Sequence, residues 1–256
     1  EQFGSMTKPF HPGAAARAGL TAALMAKHGY TSSPRAIEAP RGLAQTYSTK
    51  CDWNEITDAL GHRFEISFNS YKPFACGIVI HPAIDGCVQL RNSHNLRAAD
   101  IARIDLRVHP LVLELTGKRT PSTGLEAKFS VFHACAAGIF AGRAGEPEFE
   151  DEFVRRPDVI ALRDRIDARV DPAIAEDAVD VTITLVDGRT LHLFVPHAVG
   201  SLERPMEDAD LARKFHDLAN PVVGESRAHE LVTMLRNLAD APDVGRFVRA
   251  ATMPGT

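Results

Sequence analysis

The sequence predicts an α+β protein with part of an all-helical domain at residues 1–62 and an α+β domain at 63–199. C-terminal helices at residues 200–256 complete it. Three observations lead there. Apolar residues in the first stretch recur at helical spacing. From Phe64, short alternating runs and helical patterns interleave, which implies a mainly antiparallel sheet covered on one face by helices. Helical spacing returns after Gly200.

Residues 12–28 read as a helix, with Ala15, Ala16, Leu20, Ala23 and Leu24 on one stripe and Gly29 as its stop. The alanines suit close packing on another helix. Ser33-Pro34 opens a short helix, and Asp52 to Leu60 is a third, with Asp52 and Glu55 at capping-box spacing. Phe64 to Phe68 alternates as a strand does. Pro82 starts a helix running to about Leu90. Ile104, Leu106 and Val108 alternate with charged residues in a half-buried strand, and Leu111 to Leu115 is a second apolar run able to pair nearby. A long helix opens at Thr120–Ser130, its stripe being Leu125, Phe129, Phe132, Ala136 and Ile139. Phe149 to Val154 reads as a helical turn, and Pro157 to Ala168 as a helix with Val159, Leu162 and Ile166 inward. Val181–Leu185 and Leu191–Val195 flank Asp187-Gly188, a hairpin signal. Glu207–Leu218 and Glu225–Leu238 read as the closing helices.

The 256 residues are 45% hydrophobic and 24% charged, with a net charge of −4. That balance suits a soluble globular protein and gives no basis for binding nucleic acid or an anionic membrane. An anionic substrate must then be drawn by a local basic cluster. The four cysteines, Cys51, Cys76, Cys87 and Cys135, lack C-x-x-C spacing, so free thiols in a reducing cytoplasm are expected. The apolar run from Phe129 to Ala141 is too short to span a bilayer, and no signal peptide is visible.

Chemistry gathers at Met6-Thr7-Lys8-Pro9-Phe10-His11-Pro12-Gly13. A hydroxyl, an ammonium and an imidazole fall within five residues there. Lys8 precedes a proline, which favours an extended backbone ending against a helix N-terminus, a seat for carboxylate or phosphate. A surface lysine in a loop is the plain alternative. A second junction lies between Lys72 and His81, in Tyr71-Lys72-Pro73-Phe74-Ala75-Cys76 and His81-Pro82-Ala83-Ile84-Asp85.

These stretches resemble the MmgE/PrpD family, which includes 2-methylcitrate dehydratases, cis-aconitate decarboxylases and iminodisuccinate epimerases. The first is similar to its TKP-x-H-x-G segment and the second to its KPY-x-C…H-P-A-I-D segment. Pro121-Ser122-Thr123-Gly124-Leu125-Glu126-Ala127-Lys128-Phe129-Ser130 resembles a helix start of the family, and Gly200 to Phe215 its G-S-x-x-x-P-M-x-x-x-D-L-x-x-K-F. The likeness runs from Glu1 to about Leu238 but is read as covering the family's C-terminal half only. It implies that the α+β domain is an inserted, lid-like one and that the C-terminal helices pack back on the helical domain.

By this resemblance Lys8 and Lys72 are the site lysines, binding carboxylate or moving a proton, and His81 is a nearby proton carrier or anion donor. Thr7 and His11 are candidate substrate contacts, as is Arg119. Lys128 is read first as a solvated or structural cation and second as a substrate contact. For His81 a satisfied histidine at a helix start stands beside the functional reading. The chemistry implied is metal-free elimination of water from a small polycarboxylate by a carbon–oxygen lyase, with no cofactor. A homodimer and a separate N-terminal half are the implied partners, and a half-length chain is expected to be inactive alone.

Ala14 stands where family members often carry a basic residue, and Leu115 where the decarboxylase branch has a tyrosine. The latter points away from decarboxylation. The run from Phe3 to Pro9 and Arg119-Thr120-Pro121 look as much like the epimerase branch. An epimerase of an amino-polycarboxylate is therefore the alternative, and a non-catalytic fragment or binding module the other. Ser5-Met6-Thr7-Lys8 also fits the S-x-x-K motif of β-lactamases, but Pro9 opposes a helical Lys8 and the companion motifs S-D-N and K-T-G are absent.

Overall fold

The computed structural model describes residue 2 and residues 4–252. Glu1 and Phe3, where the resemblance and the epimerase-like run begin, lie outside them. The chain divides into two compact units, residues 1–69 and 70–256.

The first unit consists of α1 (Thr7–Lys27), the short helices α2 (Leu43–Tyr47) and α3 (Asn54–Thr57), and turns. The helix expected from residue 12 begins five residues earlier, so Lys8 is helical and not in an extended loop. Pro9 falls in the first turn, where a missing N–H costs no ladder bond, so it does not exclude a helical Lys8. Pro12 is inside the helix rather than in its first turn. No residue of α1 is buried, and Leu20 and Leu24 of the predicted stripe face solvent. Ser33-Pro34 makes turns, not a helix. Asp52 accepts from the Asn54 N–H at 3.0 Å, but α3 runs only one turn before Ala59 adopts a positive φ of 51°. Phe64–Phe68 is not a strand. It holds a 3-10 turn at Glu65–Phe68, because no neighbouring strand among the described residues supplies the ladder bonds that extended backbone needs.

The second unit is built on a four-stranded sheet with strand order β2-β1-β3-β4. Its elements in chain order start with α4 (His81–His94), β1 (Ile101–Val108), α5 (Pro110–Thr116), α6 (Gly124–Ala127) and α7 (Val131–Ala141). They continue with α8 (Asp151–Val154), α9 (Pro157–Arg163), β2 (Ile166–Val170), β3 (Val179–Leu185) and β4 (Thr190–Val195). The closing helices are α10 (Asp208–Val223), α11 (Glu225–Arg236) and α12 (Val244–Ala251). β1 pairs antiparallel with β3, and β3 with β4 through the expected hairpin, while β1 and β2 run parallel.

Register sets the two faces of the sheet. Ile104 lies between Ile166 and Ile183, and Leu106 faces Val181; all are buried under α4 and α7. Gly86 allows that approach, since a Cβ there would stand 2.7 Å from Val181 Cγ2. The outer face carries ion pairs instead. Arg103 meets Asp105 at 2.6 Å and Asp167 at 3.4 Å, and Arg107 meets Asp171 at 2.5 Å and Asp180 at 3.0 Å. These exposed pairs each contribute little to stability.

Three further expectations change. Leu111–Leu115 lies in α5, with Pro110 at its start and the His109 ring accepting the Leu111 N–H at 3.3 Å. The helix from Thr120 breaks after α6 and restarts at α7, where the Ser130 hydroxyl caps the His133 N–H at 3.1 Å. Leu125 is consequently exposed, whereas Phe132, Ala136 and Ile139 are buried as expected. Ile166 is a strand residue, because α9 stops at Arg163 and the chain turns into β2. Cys76, Cys87 and Cys135 are buried free thiols, and Cys51 is half-buried. No helix among the described residues is long and apolar enough to cross a membrane.

Candidate anion site at the start of α4

The segment from Tyr71 to Gly77 has no regular structure and is held by main-chain bonds to other parts of the unit. The Tyr71 N–H donates to the Gly200 carbonyl at 2.8 Å, the Ala75 N–H to Ala144 at 2.9 Å, and the Gly77 N–H to Lys128 at 3.1 Å. This framework delivers Lys72 and His81 to the same place. Lys72 donates its ammonium to the Cys76 carbonyl at 3.1 Å. His81 opens α4, a helix with no side-chain cap, so the positive end of its dipole lies at the same point, although the His81 N–H is itself bonded to the Ile78 carbonyl and Pro82 has none to offer.

The His81 imidazole is 2% exposed and packs edge-on to Phe74, with ring centroids 5.3 Å apart. Burial pushes its pKa down to about 4, and the charges of Lys72 and Lys214 push the same way. A hydrogen bond with the Cys76 carbonyl opposes them. The ring is thus neutral near pH 7, and its Nε2 is buried with no partner. Burial also raises the Cys76 thiol well above its ordinary range, with weaker opposing effects from Lys72 and Lys128, so the sulfur stays protonated.

Lys214 is the residue that sequence reasoning missed. Its ammonium, on α10, donates to the Lys72 carbonyl at 2.6 Å. It lies in the quoted D-L-x-x-K-F stretch, but nothing local marks it as a site residue. Among the described residues neither Lys72 nor Lys214 pairs with a carboxylate. The remaining second-unit candidates are engaged. Lys128 meets Glu146 at 2.7 Å, and its carbonyl holds Gly77. Arg119 donates to the Ile166 carbonyl at 2.6 Å and lies 4.3 Å over the Phe132 ring. Thr7, Lys8 and His11 are exposed residues near the start of α1 in the first unit, with Thr7 and His11 four apart on one helix face.

Two other clusters differ in kind. An open depression of about 430 Å³ on the outer sheet face is lined by Arg103, Arg107 and Arg169, each already next to an aspartate. Asp177, His197 and Glu203 bring three potential metal-ligand atoms within 4.8 Å. There the His197 Nδ1 already bonds Asp177 at 2.5 Å. At the start of α4, by contrast, two ammoniums and a helix N-terminus lie beside a neutral imidazole whose buried Nε2 has no partner among the described residues. Cations beside a helix N-terminus are the kind of arrangement that attracts a carboxylate, and a neutral imidazole with an unpartnered nitrogen is the kind that accepts a proton.

Comparison with known proteins covers most of the chain, with Lys72 falling between the two matched stretches. Residues 74–240 match the MmgE/PrpD C-terminal domain and residues 1–56 the N-terminal domain. The chain therefore carries sequence of both domains, which corrects its reading as the C-terminal half only. Cis-aconitate decarboxylase of Mus musculus is 23% identical over 98% of this chain and 53% of its own length. That of Aspergillus terreus is 25% identical over 99% of this chain and 56% of its own. The 2-methylcitrate dehydratase of Cupriavidus necator is 30% identical over 52% of this chain and 32% of its own. The chain spans about half the length of the curated relatives that align along nearly all of it. With well over half of its residues matched to one domain and its opening residues to the other, the chain belongs to the MmgE/PrpD family.

Proposed function

We propose that this chain contributes the site of a lyase acting on a small polycarboxylate, 2-methylcitrate dehydratase-like in eliminating water. The observation that supports it most is that Lys72 and Lys214, neither paired with a carboxylate among the described residues, stand beside neutral His81 with its buried, unpartnered Nε2. In this reading a substrate carboxylate sits at the start of α4 against the ammoniums. The His81 Nε2 takes the proton from the adjacent carbon, and the electron pair moves into the carboxylate, whose added charge the lysines stabilise. Collapse of that charge forms the double bond and expels the hydroxyl of the neighbouring carbon, which leaves as water on taking the proton held at His81 Nε2, returning the imidazole to its neutral form. A base as weak as the unliganded His81 becomes stronger once bound carboxylates offset the lysine charges. Lys8 is assigned a supporting cation role on its motif alone.

Decarboxylation is the second reading, favoured by relatives such as the mouse cis-aconitate decarboxylase that align along nearly the whole chain. Leu115 in half-buried α5, at the position of the decarboxylase tyrosine, offers no proton for it. The acting assembly is proposed to contain more helical chain than these residues, because α1 buries nothing. Native mass spectrometry identifies that assembly. It is then incubated in D₂O with 2-methylcitrate and with cis-aconitate and followed by proton NMR, with and without a chelator. A new alkene with water loss, insensitive to the chelator, is expected. Release of CO₂ from cis-aconitate would replace dehydration by decarboxylation. Exchange without elimination would mark an epimerase, and no exchange from either substrate would leave a binding module.

A further inference from the structure

We propose that Lys214 is a positioning residue of this site: it holds the Lys72 main chain through its carbonyl and so keeps the Lys72 ammonium on the Cys76 carbonyl beside His81. The proposal rests on the reading of Lys72 and His81 as a polycarboxylate seat.

The bond is not the one Lys214 would make by default. Asp210 lies four residues before it and Asp217 three residues after it on α10, both at the spacing of helical ion pairs. Asp210 is taken by Arg213, and Asp217 lies 3.9 Å from Arg143. The Lys214 ammonium instead spans 142 positions of sequence to reach the Lys72 carbonyl at 2.6 Å. Because it is charge-assisted, this bond is stronger than an ordinary main-chain one. It also acts where support is scarce. Tyr71 to Gly77 has no ladder of its own, and Pro73 removes one donor. The C-terminal region grips this segment twice, at the Tyr71 N–H through Gly200 and at the Lys72 carbonyl through Lys214. The groups acting on the His81 ring are then Lys72, Lys214 and the Cys76 carbonyl.

The test uses tricarballylate, an unreactive tricarboxylate, with binding measured by calorimetry and His81 followed by imidazole ¹⁵N NMR. Lys214→Gln should weaken binding about tenfold or more, the scale of one charge-assisted bond, while Lys214→Arg stays close to wild type. The His81 midpoint should rise in Lys214→Gln and stay low in Lys214→Arg. If wild type binds no tricarballylate, or binds it without moving the His81 signals, the seat itself is wrong. If wild type binds at His81 and Lys214→Gln matches it in affinity and midpoint, the positioning role is wrong. Should Lys214→Gln not fold, reductive methylation of wild-type lysines decides. Lys214 must react more slowly than Lys27 and Lys50 on the exposed surface, and equal reactivity overturns the proposal.

Discussion

Lys72 donates its ammonium to the backbone carbonyl of Cys76 at 3.1 Å. The same carbonyl bonds the His81 imidazole, so a single oxygen sets a cation beside a base. Main-chain oxygens do not titrate, and this spacing therefore survives changes of pH that alter the groups on either side.

His81 should titrate at about 4 in the unliganded protein, measured by imidazole NMR. Its folded value lies below the unfolded one near 6.5, so the unfolded state takes up the proton first as pH falls. The stabilisation is complete above about pH 6.5 and is lost on the way down to about pH 4. The shift corresponds to roughly 3 kcal/mol, visible in denaturant midpoints across that window. A His81→Gln variant should lose most of this dependence.

Lys72→Ala should abolish turnover in the complete assembly and weaken tricarballylate binding by about tenfold or more. It should also raise the His81 midpoint, because the Lys72 charge is one of the effects holding it down. Near wild-type turnover in Lys72→Ala would remove this residue from the site.

Gly200→Ala should disturb the site without touching a charged group. Gly200 has φ +95°, and a Cβ there would lie 2.3 Å from the Tyr71 carbonyl oxygen and 2.9 Å from Pro73 Cδ. The left-handed backbone and the clash together should cost more than about 2 kcal/mol. Since the displaced atoms flank Lys72, thermal melting and tricarballylate affinity should fall together.

Arg204→Ala should destabilise the second unit by roughly 2–3 kcal/mol, judged by urea unfolding. Asp85 on α4 is buried and accepts from Arg204 and, at 3.4 Å, from the Val199 N–H. Arg204 is itself 45% exposed, which keeps the figure below that of a fully buried pair. The double variant with Asp85→Asn should recover part of the loss, since an amide is cheaper than a carboxylate to leave half-satisfied.

Strands with clean alternation were legible. Leu106 and Val108 on β1 and the hairpin around Asp187-Gly188 fell where the pattern placed them. β2 was hidden because Ile166 continues the helical spacing of Val159 and Leu162, and only the parallel partner β1 selects the strand. Phe64–Phe68 shows the reverse case, alternation with no partner strand to pair with. In the candidate site, Lys72 and His81 were singled out by the family resemblance of the two segments that carry them, and the structure brings the two together. Lys214 was not singled out, because its significance comes from a contact with residue 72 that no local pattern encodes.

The order of strands in the sheet has a consequence for folding order. β1 occupies an interior position, yet both of its partners, β2 and β3, are made much later in the chain. The β3–β4 hairpin is local and can form early, whereas β1 must wait for long loops to close. The bonds from Gly200 and Lys214 to the Lys72 segment join stretches far apart in the second unit, the latter across 142 positions. The anion seat should therefore be among the last features to form and the first to open, and native-state hydrogen exchange at Tyr71 should run ahead of exchange at Ile104.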